Sequence, residues 1–254
     1  MISYNSITNK GDRQINEDSV GCYYEGDIGL FIVADGLGGH GFGDTASHYV
    51  VEQYLMQYND KYHDCAERYF SCAFASIQAG LLELQKKMNK DMKSTVAAVF
   101  LTDKRLSICY IGDSRVYVFG KRKILFRTLD HSVPQMLANA GEIKEKNIRF
   151  HPDRNRLLRA LGEESDVVDY DMYSMNLSQN IDGILICSDG FWEYITERDM
   201  IRTLYKSDSA EEWISNMEKI VLKNGKSHTK DNYSAIGIIL CGHSHRHLFN
   251  FKKS

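Results

Sequence analysis

Four acidic residues stand at the ends of apolar runs, each beside a residue that lets the backbone turn. Gly29-Leu30-Phe31-Ile32-Val33-Ala34 runs into Asp35-Gly36-Leu37-Gly38-Gly39, Leu106 to Gly112 into Asp113-Ser114-Arg115, and Gly183 to Ser188 into Asp189-Gly190. Lys230-Asp231-Asn232 reverses the order, with the acid ahead of the apolar run Tyr233 to Leu240. Any one Asp-Gly or Asp-Asn reads as an ordinary turn, because these residues favour that geometry. Four in the same relation to a strand say more. If those strands lie in one sheet with these ends together, the carboxylates converge, repel, and raise one another's pKa. A hard divalent cation relieves the repulsion, and glycine backbone beside Asp35 allows close approach.

A further polar segment, Asn9 to Asp18, opens on a turn signal. It fits a solvated loop, and it equally fits a loop that carries Arg13, Glu17 and Asp18 into a site ahead of a strand from Ser19 to Tyr24. The pattern leaves both readings open.

The elements that must position these residues follow from periodicity. Ile2 to Thr8 alternates weakly, as an edge strand does. Asp44-Thr45-Ala46-Ser47 can cap a helix through Tyr58. A second helix is expected from about Asp64 to Asn89, its buried stripe formed by Phe70, Phe74, Ile77, Leu81, Leu84 and Met88. Ser94 to Thr102, Leu106 to Gly112, Arg115 to Phe119 and Ile124 to Thr128 read as four strands of an antiparallel meander. The rhythm then breaks. Asp130-His131-Ser132 can cap a short helix from Val133 to Asn139, and the charged, poorly periodic stretch from Glu142 to Arg159 reads as a mobile flap. Strands resume at Val167 to Tyr173 and Gly183 to Cys187. Helices at Thr196 to Tyr205 and Ala210 to Leu222, with Trp213, Ile214, Met217, Ile220 and Val221 as a buried stripe, precede the last strand, Tyr233 to Leu240.

A chain of 254 residues with 43% hydrophobic content can bury one large core, so a single domain is expected. Lys and Arg number 31 against 34 Asp and Glu, a net charge of −3, which gives no overall positive field for nucleic acid. No leader pattern opens the chain, and no segment approaches the roughly 18 apolar residues of a membrane span. A cytoplasmic location is the expectation. The six cysteines form no Cys-x-x-Cys pair, and Cys109 and Cys187 sit inside apolar strands, where a small buried thiol is at home. Three alternating histidines in the tail 243–254 read as a solvated extension or small docking segment, because spacing of that kind gives weak metal ligands.

Taken in order, Gly11 to Asp18, Val33 to His40, Tyr110 to Tyr117, Leu129 to Ser132, Leu158 to Gly162, Cys187 to Gly190 and Lys230 to Asn232 carry a resemblance. The chain resembles the type 2C metal-dependent protein phosphatases, the PPM family, and particularly their compact bacterial members. The likeness runs from about residue 5 to 240. It implies one phosphatase domain over 1–242 with a flap subdomain at about 133–165. The implied fold is α+β, a four-layer αββα sandwich of two antiparallel sheets flanked by helices on both outer faces. It also implies two Mg²⁺ or Mn²⁺ ions, with a third looser one in bacterial relatives. Asp35 would bridge both ions, the Gly36 carbonyl would bind one, and Asp189 and Asp231 would complete the other. Glu17 and Asp18 match acids that reach the metals directly or through water, Asp113 matches the acid of the third site, and Arg13 matches the arginine that grips substrate phosphate.

Those residue types suit the implied chemistry. Mg²⁺ and Mn²⁺ prefer oxygen donors, and two ions about 3.5–4 Å apart can leave a shared water as hydroxide near neutral pH, aimed at phosphorus. A guanidinium holds two phosphate oxygens at once. Ser114 and Ser188 have no histidine nearby in sequence and no nucleophile-elbow pattern, so turn and hydrogen-bonding roles are expected for them. Leu37 stands where many eukaryotic relatives carry a histidine general acid; His40 is the candidate replacement here, with a metal-bound water as the alternative. Lys93 stands where the family usually has glycine, and Tyr233 is bulkier than usual at its position. The implied function is hydrolysis of phosphoserine and phosphothreonine in proteins, by a monomer that opposes a bacterial-type Ser/Thr kinase. A catalytically silent phosphatase-fold binding protein and a small-phosphoester hydrolase are the rival readings.

Overall fold

Runs such as Val96–Leu101 and Gly183–Cys187 are apolar at nearly every position, so they need cover on both faces, and every residue in both is buried. The computed structural model describes residues 2–38, 42–58, 65–165, 169–177, 180–227 and 229–240. In chain order its elements are β1 (Ile2–Asn9), β2 (Asp18–Glu25), β3 (Ile28–Leu37), α1 (Gly43–Gln57), α2 (Ala66–Met88), β4 (Lys93–Ser94), β5 (Val96–Leu101) and β6 (Arg105–Ile111). There follow β7 (Arg115–Gly120), β8 (Lys123–Arg127), α3 (Val133–Asn139), β9 (Asp171–Asn176), β10 (Gly183–Cys187), α4 (Asp189–Trp192), α5 (Glu197–Leu204), α6 (Ala210–Asn224) and β11 (Tyr233–Leu240).

Two antiparallel sheets result, ordered β1-β11-β10-β7-β8 and β2-β3-β5-β6-β9, with β4 paired to the end of β3. Alternation along β3 shows how the layers are filled. Phe31 and Val33 point between the sheets to meet Val116, Ile184, Ile186 and Ile236. Leu30, Ile32 and Ala34 point the other way and pack under Val50 of α1 and Phe70 and Phe74 of α2. On the far side, Leu185 and Cys187 of β10 lie beneath Trp213, Ile214 and Met217 of α6. The order of layers is therefore helix, sheet, sheet, helix, as the resemblance implied. No described helix is long and apolar enough to cross a membrane.

The expected four-strand meander is corrected. β5 pairs with β6 and β7 with β8, but the two hairpins belong to different sheets, and the chain crosses between them at Gly112-Asp113-Ser114. Short turns look alike in sequence whether the next strand pairs or departs. Nor is α1 capped by Asp44 to Ser47; its first residue is Gly43, and Phe42 at the cap position makes no side-chain cap bond. Ser132 does cap α3, accepting from the Gln135 N–H at 3.4 Å. In α2 the stripe is buried through Leu81, but Met88 is 40% exposed where the helix ends in a left-handed Asn89. The strand expected at Val167 to Tyr173 is seen as β9 at Asp171–Asn176, with residues 167 and 168 outside the described set. The tail 243–254 also lies outside it.

Candidate active site

The start of β2, the end of β3, the end of β10, the start of β11 and the β6–β7 crossover meet at one end of the sandwich. They surround a cavity of about 200 Å³ walled by Arg13, Glu17, Asp35, Gly36, Asp113, Asp189 and Asp231. Six of the seven expected ligands thus line one space; Asp18 lies just behind it, 5% exposed. Asn155 and Leu157, from the stretch between α3 and β9, close another side.

Sheet register accounts for the crowding of acids. Asp18 on β2 and Asp35 on β3 are direct cross-strand partners, an arrangement that like charges disfavour. Asp35 is held through its main chain: its N–H donates to Thr95 Oγ1 at 3.0 Å, and its carbonyl accepts from the Thr95 N–H at 2.8 Å. Thr95 Oγ1 also meets Ser114 Oγ at 2.8 Å, which ties the Asp35 strand end to the Asp113 crossover. At Gly36 a Cβ would collide with the Gly43 carbonyl, so the tight approach of β3 to the start of α1 excludes any side chain there.

Loop 9–18 fits two readings in sequence, and the structure brings Arg13 and Glu17 to the cavity wall. Asn232 Oδ1 accepts from the Glu17 N–H at 2.8 Å, while its amide donates to the Lys10 and Ile15 carbonyls, both at 2.9 Å. The loop is pinned to the start of β11, and Arg13 reaches Asp231 Oδ2 at 2.7 Å. Asn232 was not assigned this part; an amide beside an acid at a strand start was its only trace in the sequence. Also unanticipated was α4, whose Trp192 indole donates to the Asp113 carbonyl at 3.0 Å. Glu193 follows it, pushed up to about 7 mainly by burial, then by Asp189, and bridged to Arg154 at 2.9 Å.

Burial and mutual repulsion dominate the electrostatics. Burial first, then Asp18, Asp189, Asp113 and Asp231, holds the Asp35 carboxyl well above the usual range. Asp113 is raised well above it by burial and by Asp189. Asp189 is pushed to about 6 by burial and Asp231. Asp18 rises to about 7, again chiefly through burial, against the stabilising bond from Ser188. Glu17 is raised by burial as well.

Among the described residues no three His, Cys, Asp or Glu side chains already form a closed ion-binding cluster. The carboxylates are spread around the wall, with Asp231 turned to Arg13 and Asp18 to Ser188 Oγ at 2.7 Å. The residues nevertheless suit hard cations. Their donors are all oxygen, Asp18, Asp35, Asp113 and Asp189 are raised by burial and by neighbouring acids, and Asp18 Oδ1 is buried with no hydrogen-bond partner. His40, the expected general acid, lies outside the described residues.

Comparison with known proteins agrees with this geometry. The family described as Protein phosphatase 2C matches residues 9–230. The serine/threonine phosphatase stp of Listeria monocytogenes serotype 4b is 31% identical over 202 residues, 74% of this chain and 77% of that protein. The crystal structure of the serine/threonine phosphatase Stp1 from Staphylococcus aureus superposes with a TM-score of 0.85 at 27% identity, covering 95% of this chain and 96% of that one. The catalytic domain of the serine/threonine protein phosphatase PstP, solved in complex with two manganese ions, shares the fold at a TM-score of 0.80 and 22% identity, over 94% of this chain and 97% of that one. Strand-end acids meeting in one cavity and a family match over nearly the whole sequence lead to one conclusion: the chain belongs to the protein phosphatase 2C family.

Proposed function

We propose that the chain is a metal-dependent serine/threonine protein phosphatase acting on phosphorylated proteins and opposing a serine/threonine kinase. The observation that carries this reading is the gathering of Glu17, Asp35, Asp113, Asp189 and Asp231 around one cavity with Arg13 at its side. Asp35, the Gly36 carbonyl, Asp189 and Asp231 would hold two Mg²⁺ or Mn²⁺ ions in this cavity. Glu17 and Asp18 would support those ions, and Asp113 would hold a further one. Bound there, such ions lower the pKa of water enough to supply a nucleophile near neutral pH and neutralise charge on the phosphoryl group.

The chain's own residues do the rest. Arg13, about half exposed, presents a planar and permanently charged fork that fits two phosphoryl oxygens and stabilises charge gathering on them. Thr95 and Asn232 accept from the Asp35 and Glu17 N–H groups and so fix the main chain that carries these two carboxylates. Leu157 of the flap helps exclude water from the cavity. The test is release of phosphate from a phosphothreonine peptide in Mn²⁺. Release that is abolished by chelator and by Asp189→Ala supports the proposal. Tight Mn²⁺ binding without turnover would favour a silent binding protein, and strong preference for nucleotides a small-phosphoester hydrolase.

A further inference from the structure

The Asp130-His131-Ser132 triplet is singled out by the sequence, yet the chemistry above gives it nothing to do beyond capping α3. Its contacts reach in two directions. Toward the crossover, the His131 N–H donates to the Gly112 carbonyl at 2.8 Å, and the Gly112 N–H donates back to His131 Nδ1 at 3.2 Å. Gly112 is buried, has φ of +95°, and immediately precedes Asp113. Asp130 grips Arg115, two residues past Asp113, through Nε at 2.7 Å and a terminal nitrogen at 2.6 Å. Arg115 in turn lies 3.4 Å over the ring of Trp192, whose indole holds the Asp113 carbonyl. Both sides of Asp113 are therefore clasped by residues 130 and 131.

Toward the flap, the His131 carbonyl accepts from the Leu158 N–H at 2.8 Å, Ser132 bridges to Leu157, and the Val133 N–H donates to the Arg156 carbonyl at 2.9 Å. Leu157 lines the cavity. The imidazole has little freedom. Because Nδ1 accepts from a peptide N–H, the proton sits on Nε2, which lies 3.3 Å from Asp171 Oδ2, and the ring stacks on Tyr110 at 5.3 Å and 14°.

We propose that His131 is a positioning residue that holds the Asp113 turn and the flap limb 156–158 in one register, so that cation binding at Asp113 and seating of Leu157 over the cavity occur together. This rests on the reading of Asp113 as a cation ligand. Without the Nδ1 acceptor the buried Gly112 N–H has no partner, and the turn must shift to satisfy it.

Three variants and one measurement on the unaltered chain test this. Mn²⁺ is titrated calorimetrically into the metal-free protein. Asp113→Asn should lose the weakest binding event. His131→Gln, which keeps a polar group toward Asp171 but not toward Gly112, should weaken that same event about tenfold, the worth of one buried hydrogen bond. His131→Asn, which restores an acceptor near the Nδ1 position, should return it to within about threefold. In the wild-type chain, saturating Mn²⁺ should slow amide exchange in segments 110–114 and 155–159 in parallel. Loss of the weakest event in Asp113→Asn with its affinity unchanged in His131→Gln would overturn the proposal, as would equal effects of Gln and Asn. Protection of 110–114 without 155–159 would overturn it too, and that result does not depend on the variants folding. An isotherm unchanged by Asp113→Asn would overturn the ligand reading, leaving paired exchange protection to decide whether His131 couples the two segments.

Discussion

Replacing Asp18 by Asn should make the metal-free protein more stable at pH 8 and deprive it of part of the stabilisation that Mn²⁺ confers. Asp18 is 5% exposed, one of its oxygens has no partner, and its carboxyl is pushed from 3.8 to about 7. The shift is upward for an acid, so the folded chain holds the proton to higher pH than the unfolded chain does. Stability of the metal-free fold therefore falls as pH rises from about 4 through about 7 and is level above that. A rise of roughly three units corresponds to about 4 kcal/mol of lost stability at pH 8. An amide in place of the orphaned oxygen buries an unmatched donor and costs about 1–3 kcal/mol. The net gain at pH 8 is then about 2 kcal/mol, shrinking to about zero at pH 5, where wild-type Asp18 is largely protonated when folded.

Urea unfolding in chelator at pH 5 and pH 8, followed through the buried Trp192 and Trp213, measures both values. Repeating it in Mn²⁺ at 100 times its dissociation constant should stabilise the wild type by about 2.7 kcal/mol per ion, and the variant by less. A variant less stable than wild type at pH 8 in chelator would refute the reasoning, and so would a difference that does not change with pH. Either result would mean that Asp18 is not strained by burial beside its neighbours.

Arg13→Ala should leave Mn²⁺ affinity unchanged or tighter, because it frees Asp231 Oδ2, while raising KM for a phosphothreonine peptide roughly tenfold or more; calorimetry and steady-state kinetics check the two halves separately. Asp130→Asn strips the counter-charge from Arg115, whose side chain is 2% exposed, and should cost about 3–5 kcal/mol in urea unfolding. Replacing both partners with apolar residues of similar size should recover most of that loss. Gly36→Ala drives a methyl group into the Gly43 carbonyl and should cost about 1–3 kcal/mol of stability along with most of the phosphatase activity.

Local signals carried much of this protein. Apolar runs of strand length, the helical stripe of Trp213, Ile214 and Met217, and the serine before α3 are visible within a few residues of chain, because side-chain period and capping are short-range properties. For the same reason the acids at strand ends could be picked out one by one. Their meeting was implied by the resemblance alone, not by any local pattern. Asp18 faces Asp35 only through the register of β2 on β3, and Glu17 is held by Asn232 from 215 residues away, a bond that leaves no pattern in either segment. Strand partnership was equally hidden: the turn at Gly112-Asp113-Ser114 reads like a hairpin, yet it carries the chain from one sheet to the other. That crossing brings Asp113 to the cavity, and it is decided by which apolar faces must cover one another between the sheets. Residue types and their local spacing set which side chains could act and which elements would carry them. Only the packed sandwich decided that the carboxylates would share one space, because pairing and burial between distant segments depend on the whole core closing at once.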